Sequence, residues 1–386
     1  MQGDVIFVKK GMSTLVGYGT VTSDYYYDAA QSDPSYPNFR KVNWTQISER
    51  EYPNHKAPVK TLTDITQYTG LVQSLKECVN DNPEVTDATD SNIEVETQTV
   101  YPEYTEDDFL NEVFMSESEY KTLVGLLRSK KNVILQGAPG VGKTFAAKRL
   151  AYSMMGVKDQ DRVAFIQFHQ SYSYEDFIMG YRPDGNGFIL KTGVFYNFCK
   201  KAQDDPDNEY FFIIDEINRG NLSRIFGELF MLVENDRRGN STQLLYADEA
   251  FSVPKNILII GMMNTADRSL AMMDYALRRR FAFFEMVPGF DTTGFQIYQD
   301  NIANTKFNSL IEQVKSLNRV ISEDESLGDG FRIGHSYFCN LESDSTDDQA
   351  LMNIVKYELV PLLKEYWFDE PQKVKEWTSK LESAFK

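Results

Sequence analysis

The residues best suited to chemistry in this chain form one glycine-rich stretch at 137–144. The stretch has the sequence Gly-Ala-Pro-Gly-Val-Gly-Lys-Thr and matches the pattern G-x-x-x-x-G-K-[ST] at every fixed position. In such a loop, backbone N–H groups surround an anion, the lysine adds a charge for the outer phosphates, and the hydroxyl reaches Mg²⁺. The predicted nucleotide-binding residues are therefore Gly137, Ala138, Pro139, Gly140, Val141, Gly142, Lys143 and Thr144.

The segments on either side of this loop are those that a phosphate site needs. Residues 132–136 form a short apolar run that predicts a buried strand, and residues 145–155 predict a helix. The strand–loop–helix order aims the positive end of the helix dipole at a bound anion. A chance glycine-rich turn would have no reason to carry both neighbours, so the sequence favours a nucleotide site.

Two acidic residues end the apolar run at 210–216. Asp215 and Glu216 follow Tyr-Phe-Phe-Ile-Ile, which predicts a buried strand. The first carboxylate would hold Mg²⁺, directly or through water, and the second would orient and activate an attacking water. A strand that ends in acids by chance is the alternative for this pair alone. Because the pair follows a phosphate loop in the same chain, the sequence favours the second motif of a nucleotide-hydrolysing site.

A third strand, predicted at 257–261, leads to Asn264. A polar side chain at such a strand end can polarise the water beside the terminal phosphate of a nucleotide. Arg268 lies only four residues further on, so it is a second candidate for the same region.

Three more arginines are candidates for contact with phosphate. Arg278 and Arg279 open a run of three arginines before the strand predicted at 281–285. That run is either a solvated cluster or the source of an arginine finger, which reaches into the site of an adjacent subunit. Arg332 lies in a glycine-rich loop at 328–336. It is either a cationic contact over the nucleotide or an exposed arginine on a loop.

The composition excludes several classes of protein. The net charge of −17 excludes a globally basic nucleic-acid binder, so contact with DNA would need a local patch. The three cysteines and three histidines are scattered, which predicts free thiols in a reducing compartment and no clustered metal site. No apolar run approaches the roughly 20 residues that span a bilayer, and no signal-peptide pattern opens the chain. We therefore expect a soluble, cytoplasmic protein with no membrane partner.

Patterning divides the 386 residues into four parts. Residues 1–78 carry strand patterns and balanced charge. Residues 79–105 contain acidic residues but no Lys or Arg, which predicts an extended, solvated linker. Residues 106–288 predict an α/β core, and residues 289–386 have the helical spacing of a separate subdomain.

Smaller elements are predicted inside these parts. The first part carries a strand at 39–47 and a helix at 62–78. The core carries two hairpins, at 181–190 and 244–253, and a helix at 222–234. Hairpins inserted into a rigid scaffold often carry contacts.

The order of the motifs resembles the AAA+ superfamily. The similarity is to the branch that has one hairpin inserted between the phosphate loop and the acidic strand, and another before the strand that leads to Asn264. Three stretches resemble the McrB family more closely: Asp-Glu-Ile-Asn-Arg at 215–219, Met-Asn-Thr-Ala-Asp-Arg-Ser at 263–269, and Leu-Arg-Arg-Arg-Phe at 277–281. The similarity covers the chain from about residue 113 to its C-terminus. It implies a P-loop α/β core with a parallel sheet, a helical lid, and a small, mainly β N-terminal domain.

The resemblance also implies a function. Members of the family are motors that use GTP rather than ATP, with Mg²⁺, and they assemble as hexameric rings. They bind modified DNA through a variable N-terminal domain and recruit a McrC-type nuclease subunit that stimulates hydrolysis. The implied metal ligands are Thr144 and Asp215, and the implied catalytic residues are Asp215, Glu216 and Asn264. By the same resemblance, Asp267 and Arg268 link the site to a neighbouring subunit or the nuclease, and Arg278 or Arg279 acts on the adjacent subunit.

Residues 1–78 resemble the later half of an EVE-type domain, a relative of the PUA fold. The resemblance rests on Gly-Asp-Val-Ile-Phe at 3–7, Val-Gly-Tyr-Gly-Thr-Val at 16–21, Tyr-Tyr-Asp at 26–28 and Arg-Lys-Val-Asn-Trp at 40–44. Such domains are associated with flipping a modified base into an aromatic-lined pocket. The first strands of the barrel have no counterpart, which predicts a truncated domain. Tyr25, Tyr26, Tyr27 and Trp44 are either pocket residues or ordinary core and surface.

Two other functions stay open. A MoxR-like, ATP-driven chaperone that remodels proteins would share the inserted hairpin and the acidity. A modified-base reader with the motor as an oligomerisation platform would place the main function in residues 1–78. Use of GTP does not follow from the residues, since the N-K-x-D motif of ordinary GTPases is not visible. Asp184 and Lys191 lack the second acid of a PD-(D/E)xK nuclease, so cleavage would need another chain.

Overall fold

The computed structural model describes residues 4–10, 14–24, 26–27, 38–46, 50–51, 75, 101–185, 187–267, 275–343 and 346–385. These residues belong to two compact units, 1–97 and 98–386. Among the described helices, none is both long enough and apolar enough to cross a membrane.

The N-terminal unit is built from short antiparallel strands. Its main sheet has β2 in the middle, paired with β1, β5 and β6, while β3 and β4 form a separate pair. The strands are β1 (Val5–Lys10), β2 (Thr14–Val21), β3 (Tyr26–Tyr27), β4 (Asn38–Phe39), β5 (Val42–Gln46) and β6 (Arg50–Glu51). The single strand expected at 39–47 is wrong, because β4 ends at Phe39 and β5 begins at Val42. Apart from residue 75, the helix expected at 62–78 lies outside the described residues.

The second unit is organised around a five-stranded parallel sheet in the order β15-β7-β14-β11-β8. Its strands are β7 (Asn132–Gly137), β8 (Val163–Gln167), β11 (Tyr210–Asp215), β14 (Ile257–Asn264) and β15 (Ala282–Met286). The central strands are continuous apolar runs because helices cover both faces of a parallel sheet. In β11, for example, Phe212 and Ile214 join one hydrophobic core and Phe211 and Ile213 the other.

Helices flank this sheet. They are α1 (Glu106–Glu112), α2 (Glu117–Lys130), α3 (Lys143–Met155), α4 (Tyr174–Phe177), α5 (Val194–Asp204), α6 (Leu222–Phe226) and α7 (Tyr275–Arg280). The helix expected at 222–234 is wrong in its length. The chain leaves the α-helix at Gly227, whose φ of +52° lies in the left-handed region, and continues as a 3₁₀ turn over Gly227–Met231.

The core unit begins before residue 106. Tyr104, which falls inside the predicted linker, is buried, and its N–H donates to the carbonyl of Gly156 across 3.0 Å. Lys158 donates its N–H to the carbonyl of Pro102 across 2.8 Å. The last residues of the expected linker therefore pack on the core, because an aromatic side chain gains more from burial than from solvent.

Both expected hairpins are present. The first pairs β9 (Met179–Asp184) with β10 (Gly187–Thr192), and the second pairs β12 (Ser241–Leu244) with β13 (Ala247–Ser252). The rings of Tyr181 and Tyr246 meet edge to face at 5.9 Å, so the two hairpins lie side by side.

The C-terminal part of this unit is helical and has its own hydrophobic core. It contains α8 (Thr293–Ile302), α9 (Thr305–Glu323), α10 (Asp348–Ile354), a π-helical turn at Val355–Leu359, α11 (Val360–Tyr366) and α12 (Pro371–Ser383). A long loop between α9 and α10 runs back to the carboxyl end of the parallel sheet, where the candidate site lies.

Candidate nucleotide site

The loop at 137–144 has the backbone that phosphate binding requires. Gly140 and Gly142 have φ values of +78° and +76°, a region that strains residues with a side chain. Gly137 ends β7, and a Cβ there would lie 2.3 Å from the carbonyl oxygen of Met286 on β15. Lys143 opens α3, so the positive end of that helix faces the loop. The geometry is that of an anion-binding cradle at a helix N-terminus.

Lys143 is held inside this cradle. Its side chain is buried, and Nζ donates to the carbonyls of Gly137 (3.0 Å) and Ala138 (2.9 Å). Burial lowers the pKa of Lys143 to about 8, although the nearby carboxylates of Glu216, Asp215 and Asp267 act in the opposite direction. The ammonium is therefore partly desolvated and surrounded by negative charge. An anion bound in the loop would favour its charged form.

The acid pair stands at the end of β11. Asp215 is half-buried, and its Oδ1 accepts the N–H of Glu216 across 3.0 Å. Glu216 has φ +50° and ψ +44°, a left-handed conformation that a residue with a side chain rarely adopts. Strain of this kind is held in place by the surrounding structure and clusters at functional sites.

Asn264 completes the site from β14. Its Nδ2 donates to Oε1 of Glu216 across 3.2 Å. Asn264 also stands opposite Gly137 in the β7–β14 register, and the next residue, Thr265, donates its N–H to the Gly137 carbonyl across 3.1 Å. The structure thus brings the phosphate loop, the acid pair and the polar strand end together at one edge of the sheet.

Arg219 is a member of this group that the sequence did not single out. Its Nε donates to Oε2 of Glu216 (3.0 Å), and its Nη2 donates to Oδ2 of Asp267 (3.3 Å). Both carboxylate oxygens of Glu216 are therefore engaged, one by Asn264 and the other by Arg219. A signal was available, because Arg219 comes only three residues after Glu216, at the end of the stretch 215–219 that resembles the McrB family. Asp267 lies in this network, whereas Arg268 is outside the described residues.

Arg279 and Arg332 form ion pairs with carboxylates outside this group. Arg278 and Arg279 are exposed on α7, and Nη2 of Arg279 lies 3.6 Å from a carboxylate oxygen of Glu234. Arg332 lies 3.7 Å from a carboxylate oxygen of Glu285 and 3.4 Å from one of Asp329. Contacts of these residues with a nucleotide stay predictions.

The loop between α9 and α10 is fastened onto the site. Gly334 donates its N–H to the carbonyl of Pro139 across 3.3 Å, and Ser336 donates its N–H to the carbonyl of Gly140 across 2.8 Å. A Cβ on Gly334 would lie 2.0 Å from the carbonyl carbon and oxygen of Gly140, so only glycine fits. From the sequence, Arg332 was the only residue of this loop predicted to contact the nucleotide.

A second contact links the same loop to the end of β14. Thr265 donates its hydroxyl to the carbonyl of Gly330 across 3.0 Å. The helical part is therefore a lid attached to the site at two points, the phosphate loop and the strand that carries Asn264.

The fold and site define an AAA+ nucleoside-triphosphatase. Residues 132–281 match the family described as AAA domain (dynein-related subfamily), and residues 309–375 match the family described as McrB, alpha-helical lid domain. Residues 1–69 match a domain of unknown function (DUF8426).

Two relatives narrow this class. The chain is 51% identical over 324 residues to the type IV methyl-directed restriction enzyme EcoKMcrB subunit of Escherichia coli (strain K12). The aligned region covers 81% of this chain and 70% of that protein. It is also 28% identical over 200 residues to the type II restriction enzyme BsuMI component YdiS of Bacillus subtilis (strain 168), covering 41% of this chain and 58% of that protein. The chain belongs to the McrB family.

Proposed function

We propose that this chain is the GTP-driven motor subunit of a modification-dependent restriction complex. In this proposal it binds modified DNA through its N-terminal unit, assembles as a hexameric ring, and activates a separate McrC-type nuclease. The observation that carries the proposal is the hydrogen bond from Asn264 to Glu216 beside a complete phosphate loop. The chain that holds this pair is a member of the McrB family.

The chain has the groups to bind a nucleoside triphosphate. Backbone N–H groups of the loop and the N-terminus of α3 would receive the phosphates, and Lys143 would move from the loop carbonyls to the outer phosphates. Thr144 and Asp215 offer a hydroxyl and a carboxylate, the hard oxygen ligands that Mg²⁺ prefers. When bound, the ion would neutralise charge on the phosphates.

Glu216 is the proposed base. A carboxylate held on one oxygen by Asn264 and on the other by Arg219 is fixed in direction. It can orient a water for attack on the terminal phosphate and accept its proton. Asn264 would also position that water. Arg278 or Arg279, both exposed on α7, would supply a positive charge to the adjacent subunit of the ring.

Recognition of DNA is proposed for the N-terminal unit. Trp44 is 42% exposed, and its ring lies beside Gly17, where a Cβ would come within 3.0 Å of Cζ3. An exposed indole supported from behind can stack on an extruded base. Cleavage would come from the partner nuclease, and Asp267 and Arg268 would link the site to a neighbouring subunit or to that nuclease.

The test is steady-state hydrolysis of GTP and ATP by the purified chain with Mg²⁺, measured side by side. We expect a clear preference for GTP, little turnover by Glu216→Gln, and no nucleotide binding by Lys143→Ala. A preference for ATP, together with indifference to DNA, would instead support a protein-remodelling ATPase. Hydrolysis by Glu216→Gln at the wild-type rate would show that Glu216 is not the base.

A further inference from the structure

His335 belongs to the loop of the lid between α9 and α10, and it lies against the phosphate loop. It is buried, and its ring packs against Phe114 at 5.2 Å and against Phe290 at 6.3 Å between centroids. The residues on both sides of it are those that bind the loop, since Gly334 and Ser336 donate their N–H groups to the carbonyls of Pro139 and Gly140. The imidazole is therefore held in place against the phosphate loop.

One nitrogen of the ring has a defined role. Gly289, in the segment that connects the sheet to the lid, donates its N–H to Nδ1 of His335 across 2.8 Å. Nδ1 is therefore an acceptor and carries no proton. Burial lowers the pKa of His335 to about 4, so the ring is neutral near pH 7. A neutral imidazole with an acceptor at Nδ1 carries its proton on Nε2.

The other nitrogen faces the phosphate loop. A Cβ built on Gly142 would lie 3.4 Å from Nε2 of His335. Gly142 immediately precedes Lys143, and its φ of +76° belongs to the turn that aims backbone N–H groups at phosphate. The Nε2–H group is thus a donor next to the phosphate loop, beside the place where the nucleotide is expected to lie.

We propose that Nε2–H of His335 donates a hydrogen bond to an oxygen of the phosphate or ribose part of the bound nucleotide. The inference rests on the proposed nucleotide site and adds a binding residue to it. A neutral donor on the lid would tie closure of the lid to occupation of the site, because the same ring also holds Gly289 at the junction between sheet and lid.

Two substitutions separate this role from a purely structural one. In His335→Asn, the amide oxygen can take the place of Nδ1 and keep the bond from Gly289, but no group reaches the position of Nε2. In His335→Gln, the amide can place a donor near Nε2, but the acceptor for Gly289 is lost. The two variants therefore remove different halves of the ring's hydrogen bonding.

The first measurement is binding of fluorescent GTP and ATP analogues to the full chain and both variants, with thermal unfolding of each. We expect His335→Asn to unfold near the wild-type temperature and to bind nucleotide about ten- to a hundredfold more weakly, the range for a lost bond to a charged acceptor. We expect His335→Gln to bind more tightly than His335→Asn and to unfold at a lower temperature. Wild-type affinity in His335→Asn would overturn the proposal.

The second measurement needs no substitution. The chain has three histidines, so ¹⁵N labelling of histidine alone gives few signals, and the Nε2 resonance of His335 should shift when nucleotide is added. An unchanged resonance at saturating nucleotide would overturn the proposal. A wild-type chain that binds neither analogue would contradict the proposed function itself, whereas a preference for ATP would contradict only the choice of GTP.

Discussion

Asn264 donates its side-chain amide to Oε1 of Glu216 across 3.2 Å and so joins the ends of β14 and β11. Glu216 keeps a left-handed backbone at φ +50°, and its second carboxylate oxygen is held by Arg219 at 3.0 Å. The carboxylate is therefore aimed by contacts from two directions. Such fixed orientation is what a general base needs, since proton transfer depends on geometry before it depends on pKa.

Replacing Asn264 by Ala should slow hydrolysis more than it weakens binding. The substitution leaves the phosphate loop intact but removes one of the two groups that hold Glu216, and we expect kcat to fall by about 10²-fold or more while nucleotide affinity changes little. Steady-state kinetics and binding of a fluorescent nucleotide measure the two quantities. Asn308→Ala, an exposed change on α9, is the matched control and should behave as wild type. An equal loss of affinity and rate would mean that Asn264 binds the ground state.

Local patterns were sufficient to predict most of the parallel sheet and the two hairpins. The loop at 137–144 and the acids at 215 and 216 were found because each motif is contiguous and follows a strand. The contact between Asn264 and Glu216 follows from the same patterns, since carboxyl ends of parallel strands share one edge of the sheet.

Other features depended on tertiary contacts that no local pattern encodes. The close approach of Gly334 to Gly140 joins the lid to a loop almost two hundred residues earlier, roughly the length of a whole domain. The residues near Gly334 in the sequence therefore do not indicate this contact. The burial of Tyr104 inside an acidic segment was missed for the same reason. At Gly227 the sequence did contain a signal, but a single glycine in an apolar helical pattern is often tolerated.

Nucleotide binding should take up protons at high pH. The pKa of Lys143 is lowered to about 8, chiefly by burial, and phosphates in the loop should raise it again. At pH 9 the free protein would hold Lys143 largely neutral and the complex would hold it charged, so binding adds a proton and affinity falls as pH rises above about 8. Titration calorimetry at pH 9 in two buffers of different ionisation enthalpy measures this uptake. At pH 7, where Lys143 is already charged, its contribution should vanish.

The same shift has a consequence for stability. Between about pH 8 and the ordinary lysine pKa near 10.4, the unfolded chain binds more protons at this position than the folded chain does. Lys143 therefore contributes an increase in the free energy of unfolding as pH rises through that window. In the calorimetric titrations of nucleotide binding, equal proton uptake at pH 7 and at pH 9 would contradict the assignment of that uptake to Lys143.

Gly334→Ala should detach the lid loop from the phosphate loop. The new Cβ would lie 2.0 Å from the backbone of Gly140, which cannot move aside without distorting the site. Since Gly334 itself has an extended backbone (φ −77°), the effect would come from the clash and not from backbone strain. We expect at least about a tenfold loss of nucleotide affinity, the equivalent of 1.4 kcal/mol.

The matched control for that change is Gly125→Ala. Gly125 is exposed in the middle of α2, and a Cβ there would meet nothing within 4 Å. Alanine is the better helix former by about 1 kcal/mol, so this variant should bind nucleotide normally and unfold at the same or a higher temperature. Normal affinity in Gly334→Ala would show that the lid loop does not support the phosphate loop.

Asp324→Asn should destabilise the lid. Asp324 follows the end of α9, and its Oδ2 accepts from Nζ of Lys373 (2.6 Å) and Nε1 of Trp367 (2.8 Å). The hydrogen bond from Lys373, with further ones from Ser326 and Trp367, holds the pKa of this carboxyl well below its usual range. Loss of a hydrogen-bonded charge at a mostly buried position should lower the free energy of unfolding by about 2 kcal/mol.

The pH dependence of this effect has a definite sign. Because the folded pKa lies below the unfolded value near 3.9, the stabilisation is present above about pH 4 and is lost as the pH falls through the folded value. Two of the three tryptophans, Trp367 and Trp377, lie in the lid, so urea unfolding followed by fluorescence reports on it. Glu376→Gln removes an exposed pair with Lys380 on α12 and should cost no more than about 0.5 kcal/mol. A difference between wild type and Asp324→Asn that stays constant below pH 4 would show that the charge of Asp324 is not its source.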